Sequence, residues 1–305
     1  MAHERGHHGH EHPVNNYSRA FAIGVALNLS FVAIEAAYGI LAHSVALLAD
    51  AGHNASDVLS LILAWGASIL TRRPPNRRYT YGLRRSSILI ALLNAILLLL
   101  AMGGITWETL QRLGNPEPVA GDTVIWVAAI GIVINTITAL MFMSGRKHDL
   151  NLQGAFLHMA ADAGVSLGVV IAGIAIVFTG WLWFDPVVSL IIVVVVVVST
   201  WQLLKDSVNL ALDAVPEGIE LLAVQTYLAE RPGVSSVHDL HIWAMSTTQI
   251  ALTAHLVMPS GHPGDAFLMQ TCREMHDHFG IEHTTLQIEL GNSNQSCALA
   301  SNDRV

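Results

Sequence analysis

The chain has 305 residues, 52% of them hydrophobic and only 12% charged, about half the charged fraction of a soluble domain. A mean hydropathy of +0.50 points to a membrane protein. The formal net charge of −8 gives no reason to expect a nucleic-acid partner, and it hides an asymmetry along the chain.

Residues 1–16 form a histidine-rich tail with His3, His7, His8, His10 and His12. Having no apolar core, it is not a cleaved signal peptide. It either gathers zinc near the cytoplasmic mouth or has only incidental affinity. Six runs long enough to cross lipid, about 20 apolar residues each, follow at 17–41, 43–70, 86–110, 122–143, 149–178 and 182–204. They make 17–205 a transmembrane domain in contact with lipid. The basic residues orient it. "TRRPPNRRYTYGLRR", between spans two and three, holds six arginines, Arg146 and Lys147 precede span five, and Lys205 follows span six. The opposite loops hold only Arg112. Both termini are therefore expected in the cytoplasm.

Residues 206–291 read as a small soluble domain. "EGIELLAVQTYLAERPG" has helical periodicity, "VSSVHDLHIWAMS" and "TQIALTAHLVMP" alternate like strands, "GDAFLMQTCREMHDHFG" is amphipathic, and "HTTLQIEL" is a third strand. The order α-β-β-α-β suggests a small sheet backed by two helices. Residues 292–305 make a polar, loose tail. Cys272 and Cys297 stand in no CxxC spacing, so no disulfide framework or cysteine zinc site is indicated.

Ionisable groups inside a bilayer are costly and are functional candidates by default. His53 and Asp57, at i,i+4, share one face of span two, with Asp50 a turn earlier in a supporting position. His158 and Asp162 repeat the spacing on span five. Asp57 and Asp162 each lie 13 residues from the cytoplasmic ends of their spans, and the two pairs differ in mean depth by about 6 Å at 1.5 Å per residue, so all four side chains can meet. Two imidazoles and two carboxylates suit tetrahedral Zn²⁺, and two aspartates cancel its charge in a low dielectric. A single such residue is as readily a satisfied hydrogen-bonder; its repetition on two spans favours an ion site. Glu35, Asn28, Asn94 and Asn135 are isolated and are expected as interhelical hydrogen-bonders. No zinc-protease His-Glu-x-x-His and no phosphate-binding Gly-x-x-x-x-Gly-Lys loop occurs, so neither a metalloprotease nor an ATP-driven pump is indicated.

In "SVALLADAGHNASDVLSL", "YTYG", "GAFLHMAADAGVSLGVV" and "PGVSSVHDLHIW" the chain resembles the cation diffusion facilitators, and within them the zinc-type branch, over about residues 17–291. The resemblance implies an α-helical membrane protein of six transmembrane helices plus a small cytoplasmic α+β domain of ferredoxin or metallochaperone type, assembled as a homodimer. It implies secondary active efflux of divalent metal from the cytoplasm in exchange for protons, across the inner (plasma) membrane. The family's transport-site positions fall on His53, Asp57, His158 and Asp162, and histidine at 53 goes with preference for zinc. Co²⁺, Cd²⁺ and Ni²⁺ can occupy similar sites. Some members bind a second metal between spans two and three; here Leu83 stands at the histidine position, so that site is expected to be absent. In the C-terminal domain the family's cluster maps to His238, His255, Gln287 and Glu289, with glutamine replacing a histidine and His241 and His283 near enough to substitute. Those histidines suggest metal sensing that draws two subunits' domains together.

Histidine titrates near physiological pH, and metal binding needs neutral imidazole and ionised carboxylate. The same four residues can therefore exchange Zn²⁺ for protons without ATP. The competing functions are a passive divalent-cation channel and a membrane-anchored metal sensor. A buried four-ligand site speaks against the channel because tight binding slows release.

Overall fold

The computed structural model describes residues 15–71, 73–143 and 150–291. The histidine-rich tail, Arg72, Arg146, Lys147 and the polar C-terminal tail lie outside the described residues. Six long helices come first: α1 (Asn15–Leu41), α2 (Val45–Thr71), α3 (Ser86–Gly114), α4 (Gly121–Met143), α5 (Leu150–Thr179) and α6 (Phe184–Ala211). At about 1.5 Å per residue, even the shortest exceeds the ~30 Å hydrocarbon core of a bilayer. Among the described residues, α3, α6, Gly121–Met141 of α4 and Phe156–Thr179 of α5 are apolar enough to cross a membrane, and Ala26–Leu41 of α1 is a shorter apolar stretch. Large apolar side chains such as Leu100, Ile171, Ile191 and Val198 face outward, as lipid requires. Helices α3 and α6 outlast the apolar runs at residues 110 and 204. Their C-terminal stretches carry local support, Glu108 with Arg112 and Gln202 with Asp206, both at i,i+4.

The chain gathers into two compact units, Met1–Leu59 with Leu98–Val198, and Ser60–Leu97 with Ser199–Val305. In the first, helices approach closely where glycine removes the side chain. A Cβ on Gly173 of α5 would lie 3.2 Å from the Gly121 carbonyl of α4, and one on Gly131 of α4 would lie 2.7 Å from Phe31 Cζ of α1. Across α3 and α6, Thr109 and Ser189 share a 3.0 Å hydrogen bond. The start of α2 is capped from another helix. Asp185 of α6 accepts from the Ser44 hydroxyl and from the Val45 and Ala46 amides at 2.8 and 3.3 Å. That satisfies backbone donors which the first turn of a helix leaves unpaired and which no water reaches in lipid. Glu35 makes the interhelical bond expected of it, accepting from Asn54 Nδ2 at 3.0 Å. Asn135 does not: it is buried, and neither amide atom has a hydrogen-bond partner, because isolation in the sequence says nothing about what lies opposite.

The second unit includes the C-terminal domain, α7 (Leu221–Ala229), β1 (Ser236–Ala244), β2 (Ile250–Val257), α8 (Asp265–Phe279) and β3 (His283–Glu289). The strand order is β1-β2-β3, with β1 and β2 antiparallel and β2 and β3 parallel. A parallel pair needs a crossover, and α8 supplies it. Val224 and Leu228 of α7 and Met275 of α8 close over Ile242, Leu252, Ala254 and Leu256 of the sheet. The fold is the α-β-β-α-β sheet with two helices that the sequence pattern suggests. In the same unit the arginine-rich loop is ordered by Asn76, whose Oδ1 accepts the Arg78 and Tyr79 amides at 2.9 Å. Arg85 pairs with Asp213, and Tyr81 packs edge-on against His283.

Candidate metal centres

Two groups of three or more metal-ligating side chains occur among the described residues. The first joins α2 and α5. Each helix presents a histidine and an aspartate on one face, and the two faces meet crosswise. His53 Nε2 lies 3.2 Å from Asp162 Oδ1, and His158 Nε2 lies 3.2 Å from Asp57 Oδ2. Within each helix the i,i+4 partners are farther apart, 4.0 Å for His53 and Asp57 and 3.8 Å for His158 and Asp162. The imidazoles stand edge to face, with centroids 6.2 Å apart. A tetrahedral ion with bonds of about 2.0–2.2 Å sets ligand-to-ligand edges of about 3.3–3.5 Å. The ligand atoms of His53, Asp57 and Asp162 all lie within 4.8 Å of one another, and His158, outside that threesome, approaches it through Asp57 at 3.2 Å and Asp162 at 3.8 Å.

Burial across the cluster is graded. Asp162 is sealed, with 1% of its side chain exposed, whereas His53, Asp57 and His158 show 17%, 24% and 44%. The cluster thus has a closed floor at Asp162 and an accessible side at His158. Asp50, one turn before His53, is wholly buried and accepts from Ser166 Oγ of α5 at 2.9 Å.

The second group is His238, His255 and Glu289. His238 and His255 are cross-strand partners on β1 and β2. Glu289, at the end of β3, reaches both, with Oε2 3.3 Å from His238 Nε2 and Oε1 2.9 Å from His255 Nδ1. Gln287, opposite His255 in the register, donates to Glu289 Oε1 at 3.1 Å and so steadies that carboxylate. Sequence reasoning missed Asp239. Strand alternation turns it away from His238, but the register slips between His238 and His241, and Asp239 takes a left-handed backbone at φ 47°. The bulge carries its carboxylate to His255 Nε2 at 3.4 Å and His241 Nε2 at 3.0 Å. A slip is invisible in composition, although aspartate tolerates positive φ better than most residues. His241 therefore reaches the group only through Asp239. His283 does not reach it: it pairs with Ala251 at the far end of β3, about 20 Å along the strand from Glu289. Neither group includes Leu83 or any other residue of the loop between α2 and α3.

A family model described as the cation efflux transmembrane domain matches residues 21–210, and one described as the cytoplasmic domain of the cation efflux protein matches residues 216–290. The chain belongs to the cation diffusion facilitator family. Family relatives resemble it over nearly their whole length. The metal cation efflux system protein CzcD of Cupriavidus metallidurans is 36% identical over 95% of this chain and 92% of its own. The zinc transporter ZitB of Escherichia coli is 35% identical over 95% and 93%. The cadmium, cobalt and zinc/H(+)-K(+) antiporter of Bacillus subtilis is 34% identical over 95% of each chain. Membership in the zinc-type branch makes this protein a multi-pass membrane transporter of cations and not an enzyme.

Proposed function

We propose that the protein exports Zn²⁺ from the cytoplasm in exchange for protons, through His53, Asp57, His158 and Asp162. The observation that carries this reading is the crosswise meeting of the two His-x-x-x-Asp faces at 3.2 Å. Two neutral imidazoles and two carboxylates match the charge and the tetrahedral preference of Zn²⁺; Co²⁺ and Cd²⁺, named for one relative, and Ni²⁺ are secondary cargoes. Proton exchange follows from the donor set. Protonating either imidazole removes its lone pair from the ion, so an acidic outer medium displaces metal that a neutral cytoplasm loads. The excess of arginine and lysine in the even-numbered loops supports an orientation with both termini and the C-terminal domain in the cytoplasm and the protein in the inner (plasma) membrane. The protein works as a homodimer, in keeping with the matched cytoplasmic domain. There His238, His255 and Glu289, joined by Asp239, form a second metal site that reports cytoplasmic metal to the dimer.

The test is zinc flux in membrane vesicles carrying His53→Ala or Asp162→Ala. Both substitutions are expected to abolish flux while expression stays intact. Wild-type flux in both variants refutes the assignment.

A further inference from the structure

Besides Asp185, whose two oxygens are taken up in capping α2, two buried acidic side chains in the transmembrane helices stand outside the four-ligand cluster. Glu35 of α1 and Asp50 of α2 are both wholly buried. Each carboxyl group has one oxygen supplied with a neutral donor, Glu35 Oε2 by the Asn54 amide at 3.0 Å and Asp50 Oδ2 by the Ser166 hydroxyl at 2.9 Å. The other two oxygens, Glu35 Oε1 and Asp50 Oδ1, are buried with no donor. Asn54, which donates to Glu35, stands at i+4 from Asp50 on the same face of α2, so the two carboxyl groups are brought together beside that amide and act on one another electrostatically. The other ionisable groups acting on the pair, among the described residues, are His53 on α2 and Asp162 on α5.

Two carboxylates side by side in a dry, low-dielectric setting do not both stay ionised. A buried acceptor without a donor is also costly by itself. One proton held between the pair relieves both problems, since it turns an acceptor facing an acceptor into a short O–H···O⁻ hydrogen bond. We propose that Glu35 and Asp50 form a proton-binding site distinct from the metal ligands, holding one shared proton while the cluster is empty and releasing it when a divalent cation binds.

The coupling is electrostatic. Asp50 precedes His53 by one helical turn, and a doubly charged ion held by His53 and Asp162 favours the fully ionised pair. When metal loads from the cytoplasm, the proton leaves to water on that side. When metal leaves outward, the pair takes up one proton from the outer side. Each cycle then moves one proton inward at this pair, in addition to any that the imidazoles carry. This inference rests on the metal-export reading above.

The experiment counts protons released when zinc is added to the purified full-length protein, in weak buffer with a pH-indicating dye. Glu35→Gln and Asp50→Asn are each expected to bind zinc and to release about one proton fewer per ion than the wild type. Infrared difference spectra of the wild type should show the C=O band of a protonated carboxyl group disappearing on zinc addition, and both variants should lack that change. An undiminished proton count in both variants, or no such band lost in the wild type, overturns the proposal. Should Glu35→Gln fail to fold, the wild-type spectrum and Asp50→Asn decide. Failure of the export reading shows separately, as undiminished zinc binding by His53→Ala.

Discussion

Asp162→Asn isolates charge from shape at the floor of the cluster. Asparagine keeps the volume of the side chain but loses the negative charge facing His53 Nε2 at 3.2 Å and His158 Nε2 at 3.8 Å. With 1% of the side chain exposed, no water can take over that role. Removing one partner of a buried charge pair costs about 3–5 kcal/mol, which corresponds to a loss of zinc affinity of roughly two to more than three decades. His158 is the contrasting case. At 44% exposure, its removal leaves a position that water can fill as the fourth ligand, so His158→Ala should lose less. The assay is isothermal titration of purified protein with zinc under competing chelator, with circular dichroism as the folding control. Zinc binding by Asp162→Asn within about threefold of wild type, well under 1 kcal/mol, refutes the reasoning. A larger loss in His158→Ala than in Asp162→Asn refutes it equally.

Gly131→Ala places a methyl group 2.7 Å from Phe31 Cζ and should cost about 1–3 kcal/mol, read as a lower midpoint of thermal unfolding in detergent; Gly103→Ala, with open space around it, should be neutral. Asp185→Ala strips the acceptor from Ser44, Val45 and Ala46, and leaving even one buried donor unsatisfied costs about 1–3 kcal/mol. The same unfolding assay should show a loss at least as large as that of Gly131→Ala. In the C-terminal domain, Glu289→Gln removes the carboxylate that touches both His238 and His255. Equilibrium dialysis of the full-length variant should show one class of zinc site lost and the transmembrane class intact.

The parts legible in the sequence were those governed by a fixed period. Helical spacing alone places His53 with Asp57 and His158 with Asp162 on shared faces, and apolar run length locates the six long helices to within a few residues at most ends. Partners from distant segments were not legible. Asp185 reads as an acid in the first turn of α6, yet it caps a helix 140 positions earlier. The crosswise pairing of His53 with Asp162 and of His158 with Asp57 depends on how α2 and α5 are rotated against each other, which no local pattern encodes. Glu35 reads as a lone polar residue, and only packing reveals Asn54 and Asp50 beside it. Asp239 was hidden by its own strand, because alternation predicts the wrong face wherever a bulge shifts the register.

The central claim is that one cluster exchanges zinc for protons. Zinc uptake into inside-out vesicles carrying the purified protein, with and without an imposed pH gradient, tests it most directly. The account predicts uptake that rises when the vesicle interior is acidic and vanishes in Asp57→Ala. Zinc entry indifferent to the proton gradient would contradict it and mark the protein as a passive channel.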